Sequence, residues 1–213
     1  MEYTCLETFN DKWLIESFFR GMRDGFFIEA GGADGIYEST SYVLEKDFNW
    51  RGIILEPGNE FYGKLISKRT SKCINAALSD KDGSATFVTA NDRYLSGIEQ
   101  NITEFHKKAV FEEGYVKHLI ETISMKTLLM KYQCPEIIDY IHLDIEGSEL
   151  MVLKEFPFDQ YLVKLFIIEM SDQNIRPLML ENGFLEVKNE FNTDCPWENY
   201  FVNKKIIHTN RKK

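Results

Sequence analysis

Nowhere does the chain approach the ~20 consecutive apolar residues that a membrane-spanning helix needs. Its N-terminus, MEYTCLETFNDKW, also lacks the apolar stretch of a secretory signal peptide. Cysteine is sparse. Cys5, Cys73, Cys134 and Cys195 stand far apart, and no pair has the C-x-x-C spacing of a zinc or redox site. Positive charge is in deficit, with 25 Lys and Arg against 34 Asp and Glu and a formal net charge of -9. Such a chain gains no general attraction to phosphate backbones or anionic membranes, so nucleic-acid binding is not expected. The basic end, Lys204-Lys205 and Arg211-Lys212-Lys213, reads as a solvated terminus. These absences predict a soluble, cytoplasmic protein without membrane insertion.

What is present suits one domain over residues 1–213, since 44% of the residues are hydrophobic, enough for one substantial core. Apolar residues at Trp13, Leu14, Phe18 and Met22 have helical spacing and predict a helix over about 10–22, capped by Asn10 or Asp11. GFFIEA, RGIILEP and KCINAAL read as buried strands, with helices YESTSYVLEKDF (37–48) and GNEFYGKLISKR between them. This alternation argues for a parallel sheet with helices on both faces. GSATFVT (83–89) reads as another strand, and residues 90–118 then mix charge, Asn, Gly and aromatics without a clear period. They are expected to form an irregular, substrate-facing insert. Alternation resumes with helix SMKTLLMKY behind a Ser124 cap, strand EIIDYIHLD, helix GSELMVLKEF and strand YLVKLFIIEM. Helix IRPLMLENG, closed by Gly183, and a terminal antiparallel strand pair complete the order.

Ligands of open parallel sheets bind outside the carboxyl ends of the strands. The residues there are Glu29 with the Gly31–Gly35 loop, then Glu56, then Asn75–Ala77, then Asp144 and Glu146, then Glu169. Buried carboxylates need hydrogen-bond donors or a cation. The loop EAGGADG is not the G-x-G-x-x-G of dinucleotide sites, and Glu29 and Asp34 flank it with negative charge that repels a pyrophosphate. Glu56, 27 residues after Glu29, is placed to accept both hydroxyls of a ribose. A nucleoside with a cationic group and no phosphate is S-adenosylmethionine. The plain alternative is a tight turn followed by solvated rim charges.

FFIEAGGADGIYESTSYVLEK, RGIILEPGNEFYGKL, INAALSDKDGSATF and IDYIHLDIEGSELMVLKEF, in that order, resemble the FkbM family of methyltransferases. The resemblance runs from about Phe26 to the NYFV strand near residue 202, and Asp144–Glu149, D-x-E-G-x-E, is its most specific part. It implies the α/β class I (Rossmann-like) methyltransferase fold, a seven-stranded sheet in the order 3-2-1-4-5-7-6 with the last strand antiparallel. It also implies methylation of hydroxyls, on sugars or on polyketide-like natural products. Carried over, Glu29, Gly31 and Gly35 hold the methionine end of the cofactor, Glu56 the ribose, and Asn75, Ala76 and Ala77 border the adenine. Gly32, Ala33, Ser39, Pro57, Asp144 and Glu146 complete the expected cofactor-binding set. One departure is His142, where such sequences usually have the lysine of K-x-D-x-E-G.

A sugar hydroxyl is a weak acid, so something must take or polarise its proton. The residues leave three arrangements open. Asp144 or His142 is the base, since residues two apart on a strand share a face. Alternatively, Asp144, Glu169 and Asp172 hold magnesium or manganese, which suit oxygen ligands. Or His106 or His118 closes over the acceptor from the insert. Glu149 reads as a structural cap of the helix after Asp144. Aromatic and polar residues of the insert, with the N-terminal helix, are expected to receive a sugar or oligosaccharide. The rival readings are an inactive nucleoside- or glycan-binding module of the same fold, and a nucleotide-dependent oxidoreductase.

Overall fold

The computed structural model describes residues 1–91, 95–112, 114–169 and 172–207, save the side chains of 105, 106, 109 and 112. The N-terminal helix is shorter than its apolar spacing predicts. α1 (Asn10–Trp13) passes into a π-helical turn over Leu14–Phe18, and regular structure stops there. Asp11 does not cap it. Its carboxylate accepts the N–H groups of Thr4 at 2.6 Å and Cys5 at 3.3 Å, tying down the preceding segment.

β1 (Phe26–Ala30) leads into a loop and then α2 (Tyr42–Phe48), which begins only after Ser39, Thr40 and Ser41 have bonded to Glu29. β2 (Arg51–Leu55), α3 (Asn59–Lys68) and β3 (Lys72–Ile74) continue the alternation. The run KCINAAL is not one strand. It breaks at Asn75, whose amide donates to the carbonyls of Glu56 at 2.9 Å and Pro57 at 3.2 Å, and β4 (Ala77–Ser79) then joins a second sheet.

That second sheet corrects the expectation of an irregular insert. β5 (Gly83–Ala90), β6 (Gly97–Ile98), α4 (Glu104–Glu112) and β7 (Tyr115–Ser124) occupy it. The sheet has the order β4-β7-β5-β6, and β5 pairs antiparallel with β7 from Gly83↔Thr122 to Ala90↔Tyr115. Its period was hard to read because its packed residues divide between two small clusters, Ala77, Phe87, Ile98 and Ile120 in one and Val88 and Ala90 with Ile102 and Val110 in the other, while Leu119 is 75% exposed.

α5 (Met125–Lys131) starts where Ser124 Oγ accepts the Thr127 N–H at 3.2 Å, as expected of a cap. β8 (Ile137–Leu143), α6 (Glu149–Lys154), β9 (Leu162–Glu169) and α7 (Ile175–Glu181) follow. The chain ends in β10 (Phe184–Val187), β11 (Glu198–Asn203) and α8 (Lys204–Ile207).

The main sheet has seven strands in the order β10-β11-β9-β8-β1-β2-β3. Counted along the whole chain this is 3-2-1-8-9-11-10 rather than 3-2-1-4-5-7-6, because the four strands of the second sheet intervene between the third and fourth strands of this one. β3, β2, β1, β8 and β9 are parallel, and β11 runs antiparallel to both β9 and β10. Helices cover both faces. Ile28, Ile53, Ile141 and Phe166 pack on Leu128, Val152 and Met179, while Phe27, Ile54, Tyr140 and Leu165 pack on Trp13, Leu44 and Leu65. Strands buried on both sides read as continuous apolar runs, which is why these were legible. No described helix is long and apolar enough to cross a membrane.

Candidate active site

A cavity of about 450 Å³ opens over the carboxyl ends of β1, β2, β8 and β9. The register explains what faces it. Ala30 pairs with Leu55 on one side and Leu143 on the other, and Leu143 pairs with Ile168. The next residues, Gly31, Glu56, Asp144 and Glu169, therefore stand level across four strand ends. With strands ~4.8 Å apart, Glu56 and Glu169 lie about 14 Å from each other across the sheet. Gly31 is where the ends approach most closely: its φ is 93, and a Cβ there would sit 2.1 Å from the Asp144 carbonyl oxygen.

Of the residues expected to bind a cofactor, Gly31, Ala33, Glu56, Pro57, Ala76, Ala77, Asp144 and Glu146 line the cavity. Glu29, Gly32, Gly35, Ser39 and Asn75 stand outside its lining. Glu29 is 1% exposed. It accepts hydrogen bonds from Ser39 Oγ, from the N–H and Oγ1 of Thr40, and from Ser41 Oγ, and Arg69 Nη1 lies 3.6 Å away. Ser39 Oγ also accepts from Arg69 Nη1 at 3.0 Å. Gly32 packs on Ile54 and Gly35 on Leu65 and Arg69. Asn75 holds the break between β3 and β4.

Glu56 is buried yet faces the cavity. Its Oε2 accepts the Ala33 N–H at 2.8 Å and its Oε1 the Gly58 N–H at 2.7 Å. Burial pushes its pKa up to about 7 despite those two bonds. Each carboxylate oxygen keeps lone-pair capacity for a further donor. Leu55, Pro57, Phe61, Ala76 and Leu78 add an apolar wall on this side.

Toward β9 the wall is acidic. Asp144, Glu146 and Glu169 offer carboxylate oxygens within 4.8 Å of one another. Asp172, expected beside Asp144 and Glu169, is not with them. Its Oδ1 instead accepts from the N–H and Nδ2 of Asn174 at the start of α7. Burial raises the pKa of Asp144, reinforced by the Glu146 charge and opposed by His142. Glu169 is raised by burial and then by the charges of Asp144 and Glu146. Glu149 is fully buried and accepts the N–H groups of Ile145 at 2.9 Å and Gly147 at 3.1 Å, so it shapes the loop that carries Glu146.

His142 lines the cavity, 4% exposed, with Nε2 3.4 Å from Glu198 Oε1. Burial pulls its pKa down, but the carboxylates of Glu198, Asp144 and Glu29 outweigh that and push it up to about 9. His118 is not at the cavity. It pairs with Phe87 on the second sheet, its Nε2 3.3 Å from Thr89 Oγ1. The His106 side chain lies outside the described residues.

Leu95, Ser96 and Ile98 of the expected substrate-facing insert do line the cavity. Other wall residues escaped the sequence. Glu7, Tyr37 and Glu38 come from the N-terminal side, Phe87 and Thr89 from β5, and Trp197 and Glu198 from the start of β11. None stands at the carboxyl end of a parallel strand, and no local spacing links them. For Glu198, the only available signal was its place just before the last apolar strand.

The family model of the methyltransferase FkbM domain matches residues 29–186. The chain belongs to the FkbM methyltransferase family. Among solved structures, it is similar to an FkbM methyltransferase from Methylobacillus flagellatus KT, with a TM-score of 0.51 and 13% identity. The match covers 84% of this chain and 43% of that one, so this FkbM chain spans less than half the length of its neighbour. A precorrin-6y C5,15-methyltransferase from Geobacter metallireducens GS-15 matches at a TM-score of 0.42 and 9% identity, over 90% of this chain and 85% of that one. Curated proteins yield no significant match. The Methylobacillus structure supports the α/β fold, and the family match supports methyl transfer.

Proposed function

We propose that this chain is an S-adenosylmethionine-dependent O-methyltransferase acting on a hydroxyl of a sugar or glycan. The observation that carries the reading is Glu56, a buried carboxylate facing the cavity beside an apolar wall, with Gly31 between it and the acidic Asp144 end. Its free lone pairs suit ribose hydroxyls, and Pro57, Phe61, Ala76 and Leu78 suit a flat, apolar base. Asp144 suits the cationic end. When bound, the cofactor supplies an activated methyl group on a sulfonium. The chain's own residues must then align the acceptor and accept its proton. Asp144 fits that second task, because its raised pKa strengthens it as a base. His142 is held cationic at neutral pH by Glu198 and Asp144, so it does not take the proton.

Calorimetry with S-adenosylmethionine tests the cofactor: intact, folded protein should bind it, and no detectable heat removes the reading. Methyl release over a panel of sugars and oligosaccharides tests the acceptor and separates an enzyme from an inactive binding module. The grouping of Asp144, Glu146 and Glu169 favours one elaboration, a divalent magnesium or manganese ion on that trio. Activity should then fall in excess EDTA and return with either ion. Full activity in EDTA leaves Asp144 as the base acting alone.

A further inference from the structure

The rim of the cavity is built by two segments far apart in sequence. On the N-terminal side, Tyr37 Oη donates to Glu7 Oε1 at 3.1 Å, and the Glu7 N–H donates to Glu38 Oε1 at 3.2 Å. Trp197 and Glu198 come from the β11 side. Cys195 joins the two: its thiol donates to the Glu7 carbonyl at 3.6 Å, and its pKa is raised by burial and then by the charges of Glu7, Glu198 and Glu38.

Glu198 points to a ligand. Its side chain is 5% exposed, lines the cavity and stands opposite Glu169 in the β9–β11 register. Like charges directly opposite each other in a sheet are unfavourable. Its Oε1 receives no hydrogen bond, and its ion-pair partner His142 lies at 3.4 Å. Glu38 repeats the pattern: its Oε2 is buried without a hydrogen bond, and its backbone is held at φ 51, a left-handed conformation that glutamate rarely adopts. Tyr37 and Trp197 present partly exposed aromatic faces beside these carboxylates. Among the described residues, no Lys or Arg lines the cavity.

We propose that the acceptor carries an ammonium group, as an aminosugar does, and that Glu7, Glu38 and Glu198 hold it at this rim. The inference rests on the sugar-methylating reading above and narrows its substrate class. An ammonium satisfies carboxylate oxygens through short, charge-assisted bonds and is attracted to aromatic faces. The acidic wall repels phosphorylated, sulfated or uronic acceptors before they reach Asp144.

Binding of glucosamine, N-acetylglucosamine and glucuronic acid, titrated by NMR at mildly acidic pH, tests the proposal. It should be run on the protein alone and again with S-adenosylmethionine. Glucosamine should bind about tenfold more tightly than N-acetylglucosamine, and glucuronic acid should not bind. Glu38→Gln and Glu7→Gln should each remove most of that preference. Glu7 is exposed, so its variant remains informative if Glu38→Gln fails to fold. Glucosamine bound no better than N-acetylglucosamine, or not at all, overturns the proposal, as does a preference that survives both substitutions. Cofactor binding on the same samples separates the two readings. Cofactor bound without amine preference sinks this inference alone. Absent cofactor binding counts against the methyltransferase reading, while the amine comparison on the protein alone still decides this one.

Discussion

The ends of β1 and β2 lie side by side, and each brings a glutamate to the carboxyl edge of the sheet. Glu29 is spent inside the protein, clasped by Ser39, Thr40, Ser41 and Arg69. Glu56 looks into the cavity with only two backbone donors on it. The register accounts for the difference. Glu29 pairs with Ile54, whereas Glu56 follows Leu55 and stands level with Gly31. Two residues along a strand place Glu29 about 7 Å deeper. At that depth a carboxylate must be satisfied by the protein, and the short hydroxyl run at 39–41 with a buried arginine does so. Of these two strand-end carboxylates, the one that faces the cavity is the one beyond the last β1–β2 pair.

Four substitutions can break or sharpen that contrast. The largest effect belongs to Asp144, another residue just past its strand. Asp144→Asn should lower methyl transfer by about 10²-fold or more, with a smaller loss of cofactor affinity, as read by turnover and calorimetry together. Unchanged turnover would remove Asp144 as base. Next comes Glu29→Ala, which strips the acceptors from three hydroxyls and leaves Glu45 as the one described carboxylate paired with Arg69. It should cost roughly 3 kcal/mol or more in denaturant unfolding. A variant of wild-type stability that no longer binds S-adenosylmethionine would return Glu29 to the cofactor.

Glu56→Gln is the counterpart. Burial raises the folded-state pKa of Glu56 from 4.5 to about 7, so the folded chain holds this proton more tightly than the unfolded one. The stability it brings is complete below pH 4.5 and is lost as pH rises through about 7. In the variant, the fall in stability across that window should shrink by up to about 3 kcal/mol, measured as unfolding free energy against pH. Cofactor affinity should drop about tenfold at the same time. An unaltered pH slope would mean that Glu56 is better solvated than its position indicates. The smallest effect is expected at Ser39→Ala, about 1 kcal/mol of stability with cofactor affinity unchanged. Lost affinity there would show that the clasp around Glu29 also serves the ligand.

The parts of the fold that were legible are those buried on both sides. Phe26–Ala30, Arg51–Leu55, Ile137–Leu143 and Leu162–Glu169 are dense apolar runs, and Ser124 announces its helix. The second sheet was not legible, because β7 places Glu121, Lys117 and Leu119 in solvent, and only a few of its residues pack. Nor was the break at Asn75, since nothing in KCINAAL tells that its two halves pair with different sheets. The candidate site divides the same way. Glu56, Asp144 and Glu169 could be collected as strand ends, whereas Glu7, Glu38 and Glu198 converge only because β11 returns antiparallel beside β9.

The order of strands and helices, the acidic character of the strand ends and the motif from Asp144 to Glu149 follow from the residues themselves. They depend on local pattern and on hydrophobic burial, which a linear reading can see. Height above the sheet is another matter. Whether a glutamate binds its own chain or faces a ligand depends on its row in the register and on which distant hydroxyls and amides reach it. Those neighbours exist only once seven strands are stacked in their final order.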